Sequence, residues 1–226
     1  MLKIGNNIRK FSTYSCQPTS KDELKQIIEE RISKEGNNCD LNDIDTSLII
    51  DMSSLFYESS FNGNISRWNV SKVTNMGFMF AESRFNQDIS EWNVSNVVVM
   101  TGMFARSQFN GDISEWDVSN VVDMSDMFCE SCFNGDISKW DVSKVEDMSG
   151  MFYESKFNQP ISDWDVSNVF DMYDMFNGSE FNQDISKWDT SKVKDIGFMF
   201  YKCDIKEEFK PKSIQESVYI TDIIPK

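Results

Sequence analysis

Beyond residue 36 the apolar positions fall into fixed columns and not into runs. Written from Phe85, the unit reads FNQDISEWNVSNVVVMTGMFARSQ, and its apolar members recur every 24 residues with no insertion or deletion. Trp68, Trp92, Trp116, Trp140, Trp164 and Trp188 form one column, and it contains every tryptophan in the chain. Phe61 to Phe181, Ile65 to Ile185 and Phe56 to Phe200 form others, and all 13 methionines except Met1 fall in two columns represented by Met76 and Met79. A degenerate first copy, 37–60, carries Asn37 in place of the Phe and Ile44 in place of the Trp, so seven units run to about Asp204.

A unit this short cannot bury its apolar face alone and must stack on its neighbours; the period lies in the range of leucine-rich-repeat and related solenoids. Within the unit Trp92 and Val94 alternate around polar Asn93, which predicts a short strand. Val94, Val97, Met100 and Met103 then recur every third residue and lead into Phe104, which predicts a turn or two of 3₁₀ or α-helix with one buried stripe. Asn-Gly, Asn-Gln and Ser positions supply the turns. The expected fold is an α/β solenoid, a leucine-rich-repeat-like right-handed coil with one short parallel strand and one short helix per 24-residue repeat.

The flanks read differently. Ser20 followed by Glu23 is a capping-box pattern, and Leu24, Ile27, Ile28 and Ile32 mark one face of a helix that stops at Gly36. The expected organisation is a flexible leader at 1–18, an N-terminal capping helix at 19–36, a seven-repeat solenoid at 37–204, and a C-terminal cap and tail at 205–226. The cap is read from Phe209, Ile214, Val218, Tyr219, Ile220, Ile223 and Ile224. The leader has no apolar run of a secretory signal, and no stretch approaches the ~20 apolar residues of a membrane span.

Charge narrows the function. With 22 basic and 37 acidic residues the net charge is -15, the wrong sign for nucleic acid. The repeats alone carry 11 basic and 28 acidic residues, so the acidity resides in the columns. Histidine is absent, which removes the commonest general base and zinc ligand, and no repeat breaks the pattern with a unique polar cluster; no catalytic residues, metal ligands or cofactor are expected. Five cysteines do not follow the period, and Cys129-x-x-Cys132 occupies variable positions held elsewhere by Ala81, Tyr153, Arg84 and Gln108, so reduced structural thiols are expected. The constant Trp and Met columns read as packed interior. Aspartate columns such as Asp88, Asp112 and Asp136 would repel across ~4.8 Å by roughly 0.9 kcal/mol even in water. Turn capping by Asp and Asn answers that repulsion; the alternative is a calcium-stabilised structural or adhesive repeat.

Variable positions carry the candidate binding surface. The column after the Val of the buried stripe holds Thr74, Val98, Val122, Glu146, Phe170 and Lys194. Val98 and Val122 would stack, joined by Val99; Phe170 and Tyr173 lie three apart, and Phe78 and Phe198 share another variable column. An apolar patch with an acidic rim suits a protein partner, one carrying positive charge, bound by a monomer. The pattern FN-x-D-IS-x-W-x-VS-x-V-x-x-M-x-x-MF resembles the repeats of BspA-like leucine-rich-repeat surface proteins, in the branch first described from mycoplasmas as a repeat of unknown function. The resemblance spans about Asn37 to Asp204. It implies a solenoid, no catalytic residues, and adhesion or protein binding at the cell surface or in secreted form, whereas the residues alone, lacking a signal or span, read as cytoplasmic.

Overall fold

The structure, a computed structural model, describes residues 14–212. Successive 24-residue units lie on one another in register: parallel bridges link Asp51 to Asn75, Asn75 to Val99, Val99 to Asp123 and onward to Asp195. Each bridge is isolated, and no sheet forms among the described residues. The single α-helix there, α1 (Lys21–Glu35), precedes the coils. The expected α/β solenoid with a strand and a helix in every repeat is therefore overturned: the coils are built from turns.

The hydrogen bonds explain the correction. Trp92 N–H closes back on Ile89 O at 3.1 Å, and Val97 N–H on Val94 O at 2.8 Å. The predicted strand is consumed by two successive turns. Further on, Met103 N–H reaches Met100 O, Ala105 N–H reaches Gly102 O and Ser107 N–H reaches Phe104 O, at 3.1–3.2 Å. The alternate donors, on Met100, Gly102, Phe104 and Arg106, point out of the coil to Asp123, Ser125, Met127 and Cys129 carbonyls at 2.7–2.9 Å. A helix would turn those donors onto carbonyls four residues back along its own chain. Positive φ at Gly102 (57°) and Arg106 (54°) places the third residue of two of these turns in the left-handed region, as a type II turn requires.

The apolar columns meet along the stack axis. Phe56, Phe80, Phe104, Phe128, Phe152, Phe176 and Phe200 stack with centroids 5.5–5.8 Å apart and planes within 10°. The Phe61-to-Phe181 column interleaves with them at 4.2–4.8 Å. Both methionine columns are fully enclosed, and the tryptophans are 3–5% exposed. Every indole N–H donates to a carbonyl one coil earlier, from Trp68 to Leu41 at 2.9 Å and from Trp188 to Ile161 at 3.1 Å. On the outside, Asn62 Oδ1 accepts the Asn86 N–H and Asn86 Oδ1 the Asn110 N–H, both at 2.9 Å, a ladder that continues until Asn182 accepts from Lys206.

Both ends of the stack are partly covered. Ser20 Oγ caps the Glu23 N–H, Glu23 Oε2 returns to the Thr19 N–H at 2.8 Å, and Gly36 closes α1 at φ 88°. Leu24 and Ile28 are buried in the core cluster, while Lys21 pairs with Asp51 at 3.2 Å and Arg31 with Asp43 at 3.0 Å. Residues 14–18, part of the expected leader, run beside the first coil, where Cys16 bridges Ile44 and Ser15 N–H reaches Asp43 O at 2.7 Å. At the far end a 3₁₀ turn, Glu207–Phe209, lies on the last coil, with Ile185 N–H donating to Phe209 O. The remainder of the leader, and Ile214, Val218, Tyr219, Ile220, Ile223 and Ile224 of the expected cap, lie outside the described residues.

Candidate functional site

Two outward columns at positive φ border one face of the stack. The first holds Ser54, Phe78, Gly102, Asp126, Gly150, Asp174 and Phe198; the second holds Glu58, Glu82, Arg106, Glu130, Glu154, Gly178 and Lys202. Between them runs a column whose size varies along the axis: Tyr57, Ala81, Ala105, Cys129 and Tyr153. Where that column is small, at Ala81, Ala105 and Cys129, the face sinks into a groove of about 770 Å³. Tyr57 and Phe78 stand at one end, Tyr153 and Tyr173 at the other, and Ala81, Ala105 and Cys129 line it between them. At Gly150 the φ is 59°, and a Cβ there would come within 2.2 Å of Asp126 Oδ1.

The charged lining is unbalanced. Glu82, Asp126, Glu130 and Asp174 face a single cation, Arg106. Arg106 is held between coils, with Nη2 2.6 Å from Glu130 Oε1 and Nη1 3.5 Å from Glu82 Oε1, and Glu130 above all holds its guanidinium proton more tightly than usual. Asp174 Oδ1 accepts from Asn177 Nδ2 at 2.6 Å. No side-chain donor among the described residues reaches the Asp126 carboxylate; burial, then the charges of Asp147 and Asp123, raise its pKa. Burial, then Asp126 and Glu130, pushes the Cys129 thiol up to about 12, so it is a thiol and not a thiolate nucleophile at neutral pH.

The residues singled out from sequence separate into two groups. Phe78 and Tyr173 line the groove, and Phe198 meets Tyr173 edge-on at 6.0 Å beyond its end. Val98, Val99, Val122 and Phe170 lie outside the lining; Val98 and Phe170 are exposed, Val99 and Val122 partly so, and Lys194 Nζ sits 6.0 Å over the Phe170 ring. Sequence reasoning missed Tyr57, Arg106, Asp126 and Tyr153. The signal the sequence holds for them is the size change in the column Tyr57, Ala81, Ala105, Cys129, Tyr153. Cys132 lies outside the groove, with Sγ 3.8 Å from Ser107 O.

The aspartate columns are occupied by their own backbone. Asp88, Asp112 and Asp136 each accept the N–H of the serine two residues on, at 2.9–3.0 Å, and Asp117, Asp141, Asp165 and Asp189 do the same at 3.0–3.1 Å. Among the described residues no three Asp, Glu or Cys side chains converge as a metal site, and no helix there is long and apolar enough to cross a membrane.

No curated protein and no solved structure matches the chain. A family model does, once over residues 23–132 and again over 129–211. With most of α1, all seven coils and the closing turn inside those matches, the chain belongs to the family described as Mycoplasma protein of unknown function, DUF285.

Proposed function

We propose that the chain is a non-enzymatic protein-binding or adhesion module that uses the turn face of its coil stack. The observation that carries this is the contrast between interior and groove: the columns inside repeat the same residue from coil to coil, while the groove columns change from Tyr to Ala to Cys and from Phe to Gly to Asp. Repetition keeps the frame rigid, and variation at outward positions makes one stretch of a periodic surface unlike the rest. Exposed Tyr57, Phe78 and Tyr173 supply aromatic area of the kind that anchors protein interfaces. The resemblance of the repeat to BspA-like surface proteins supports an adhesive role, and the acidity of the coils favours a partner with positive charge.

The test is a joint substitution, Phe78→Ala with Tyr153→Ala and Tyr173→Ala. Partners captured on the immobilised parent should be lost by at least ~10-fold, the range for removing interface anchors. A control at exposed Lys139 should capture as the parent does. A triple variant that melts cooperatively and still captures every partner at parental affinity sinks the assignment.

A further inference from the structure

We propose that the groove between Tyr57 and Tyr173 takes an extended basic peptide laid along the stack axis, cationic side chains against Asp126 and Glu130 and apolar ones over Ala81 and Ala105. This rests on the protein-binding reading and gives its partner a chemistry. Length comes first. Tyr57 and Tyr173 stand in the first and sixth coils, so the groove spans five intervals of ~4.8 Å, roughly 24 Å. An extended chain at ~3.3 Å per residue crosses that distance in about seven residues.

Charge then selects the occupant. Four carboxylates against one guanidinium leave the lining negative, and Arg106 is already spoken for by Glu130 and Glu82. Asp126, in the other positive-φ column, has no side-chain donor on it, while its counterpart Asp174 accepts from Asn177. A lysine or arginine of a ligand supplies what Asp126 lacks. The tyrosines reinforce the same sign, because aromatic faces attract cations. An acidic ligand would meet Glu82, Asp126, Glu130 and Asp174 together. The apolar floor, with Ala105 partly exposed between the aromatic ends, gives side chains a place that a uniformly charged peptide would leave empty.

Fluorescence anisotropy on the full chain at about 0.15 M salt, where surface charges beyond ~8 Å are screened, tests this with three heptapeptides: alternating lysine and phenylalanine, alternating glutamate and phenylalanine, and alternating lysine and serine. The lysine–phenylalanine peptide should bind at least ten-fold tighter than either other. Asp126→Asn should weaken it at least five-fold, and Tyr173→Ala likewise, whereas Asp112→Asn, outside the groove, should change it less than two-fold. Asp126→Asn removes a carboxylate that is costly to ionise in place, so its melting temperature at neutral pH should not fall below the parent's, which separates lost binding from lost fold. Equal binding of the acidic peptide, equal losses for Asp126→Asn and Asp112→Asn, or no binding at all would overturn the proposal. If the peptides fail while the triple aromatic variant still loses its captured partners, only the ligand chemistry falls. If the aromatic variant loses nothing, the protein-binding reading falls too.

Discussion

Trp116 shows how much one side chain does in a coil made of turns. Its ring lies 6.3 Å from Phe104, and its Nε1 donates at 3.1 Å to Ile89 O, which already accepts the Trp92 N–H. One indole thus fills the core and fastens a turn of the preceding coil. Trp116→Phe should keep part of the packing and lose the bond and the second ring, costing about 2–3 kcal/mol in denaturant unfolding. Asn110→Ala, which removes only an exposed acceptor from the Asn134 N–H, should cost about 1 kcal/mol. A larger cost for the asparagine would mean that the outer ladder, not the aromatic core, holds the coils together. The interior role of tryptophan is legible in the sequence because a position that never varies and alternates with core valine has no reason to be outside. The hydrogen bond is not legible, because its acceptor lies 27 residues earlier on another coil.

At the scale of the element, sequence and structure part at the repeat's secondary structure. Apolar residues every third position, Val94 to Met103, fit a helix and fit a chain of three-residue turn closures equally well, since both bring positions i and i+3 to one side. Alternation at Trp92 and Val94 suits a strand, yet the backbone between them turns. What decides is where alternate N–H groups find acceptors, and the adjacent coil offers them. The turns in exchange demand left-handed backbone, and that demand is testable. Gly150→Val should destabilise by about 2 kcal/mol or more, since a β-branched residue would sit at φ 59° with its Cβ against Asp126 Oδ1. Gly36→Ala has open space around its Cβ and pays only for φ 88°, about 1 kcal/mol. Equal costs would show that backbone strain alone, without the crowding at Asp126, sets the effect.

Over the whole molecule the question is how a stack with 28 acidic and 11 basic residues in its repeats stays folded. Serine N–H and hydroxyl groups two residues on hold Asp88, Asp112, Asp136, Asp141, Asp165, Asp184 and Asp189 below the usual carboxylate range. A depressed folded-state pKa means that the stability these groups contribute is complete above the unfolded value of about 3.9 and is lost as pH falls through the folded values. Melting temperatures in about 0.5 M salt, which screens the general repulsion, should hold steady down to pH ~4 and decline below it. A chain carrying Asp112→Asn and Asp136→Asn should decline less, because an amide oxygen accepts the same bond at every pH, as Asn93 does for the Ser95 N–H. An acid limb unchanged by these substitutions would assign the loss elsewhere. Asp126 has the opposite sign: its raised pKa makes ionisation unfavourable in the folded chain, so Asp126→Asn should gain stability at neutral pH and none near pH 3.

The 24-residue register, the residues of the aromatic and methionine interior, and the start and stop of α1 can be read along the chain, because each follows from periodicity or from a cap within a few residues. Phe78 and Tyr173, which line the groove, were legible as well, as large apolar residues in variable columns. That the coils are turns, and that Tyr57, Arg106, Asp126 and Tyr153 share a groove while Val98 and Phe170 do not, emerges once the coils are stacked. Those facts depend on which backbone donors bond across coils and which side chains become neighbours only when the coils stack.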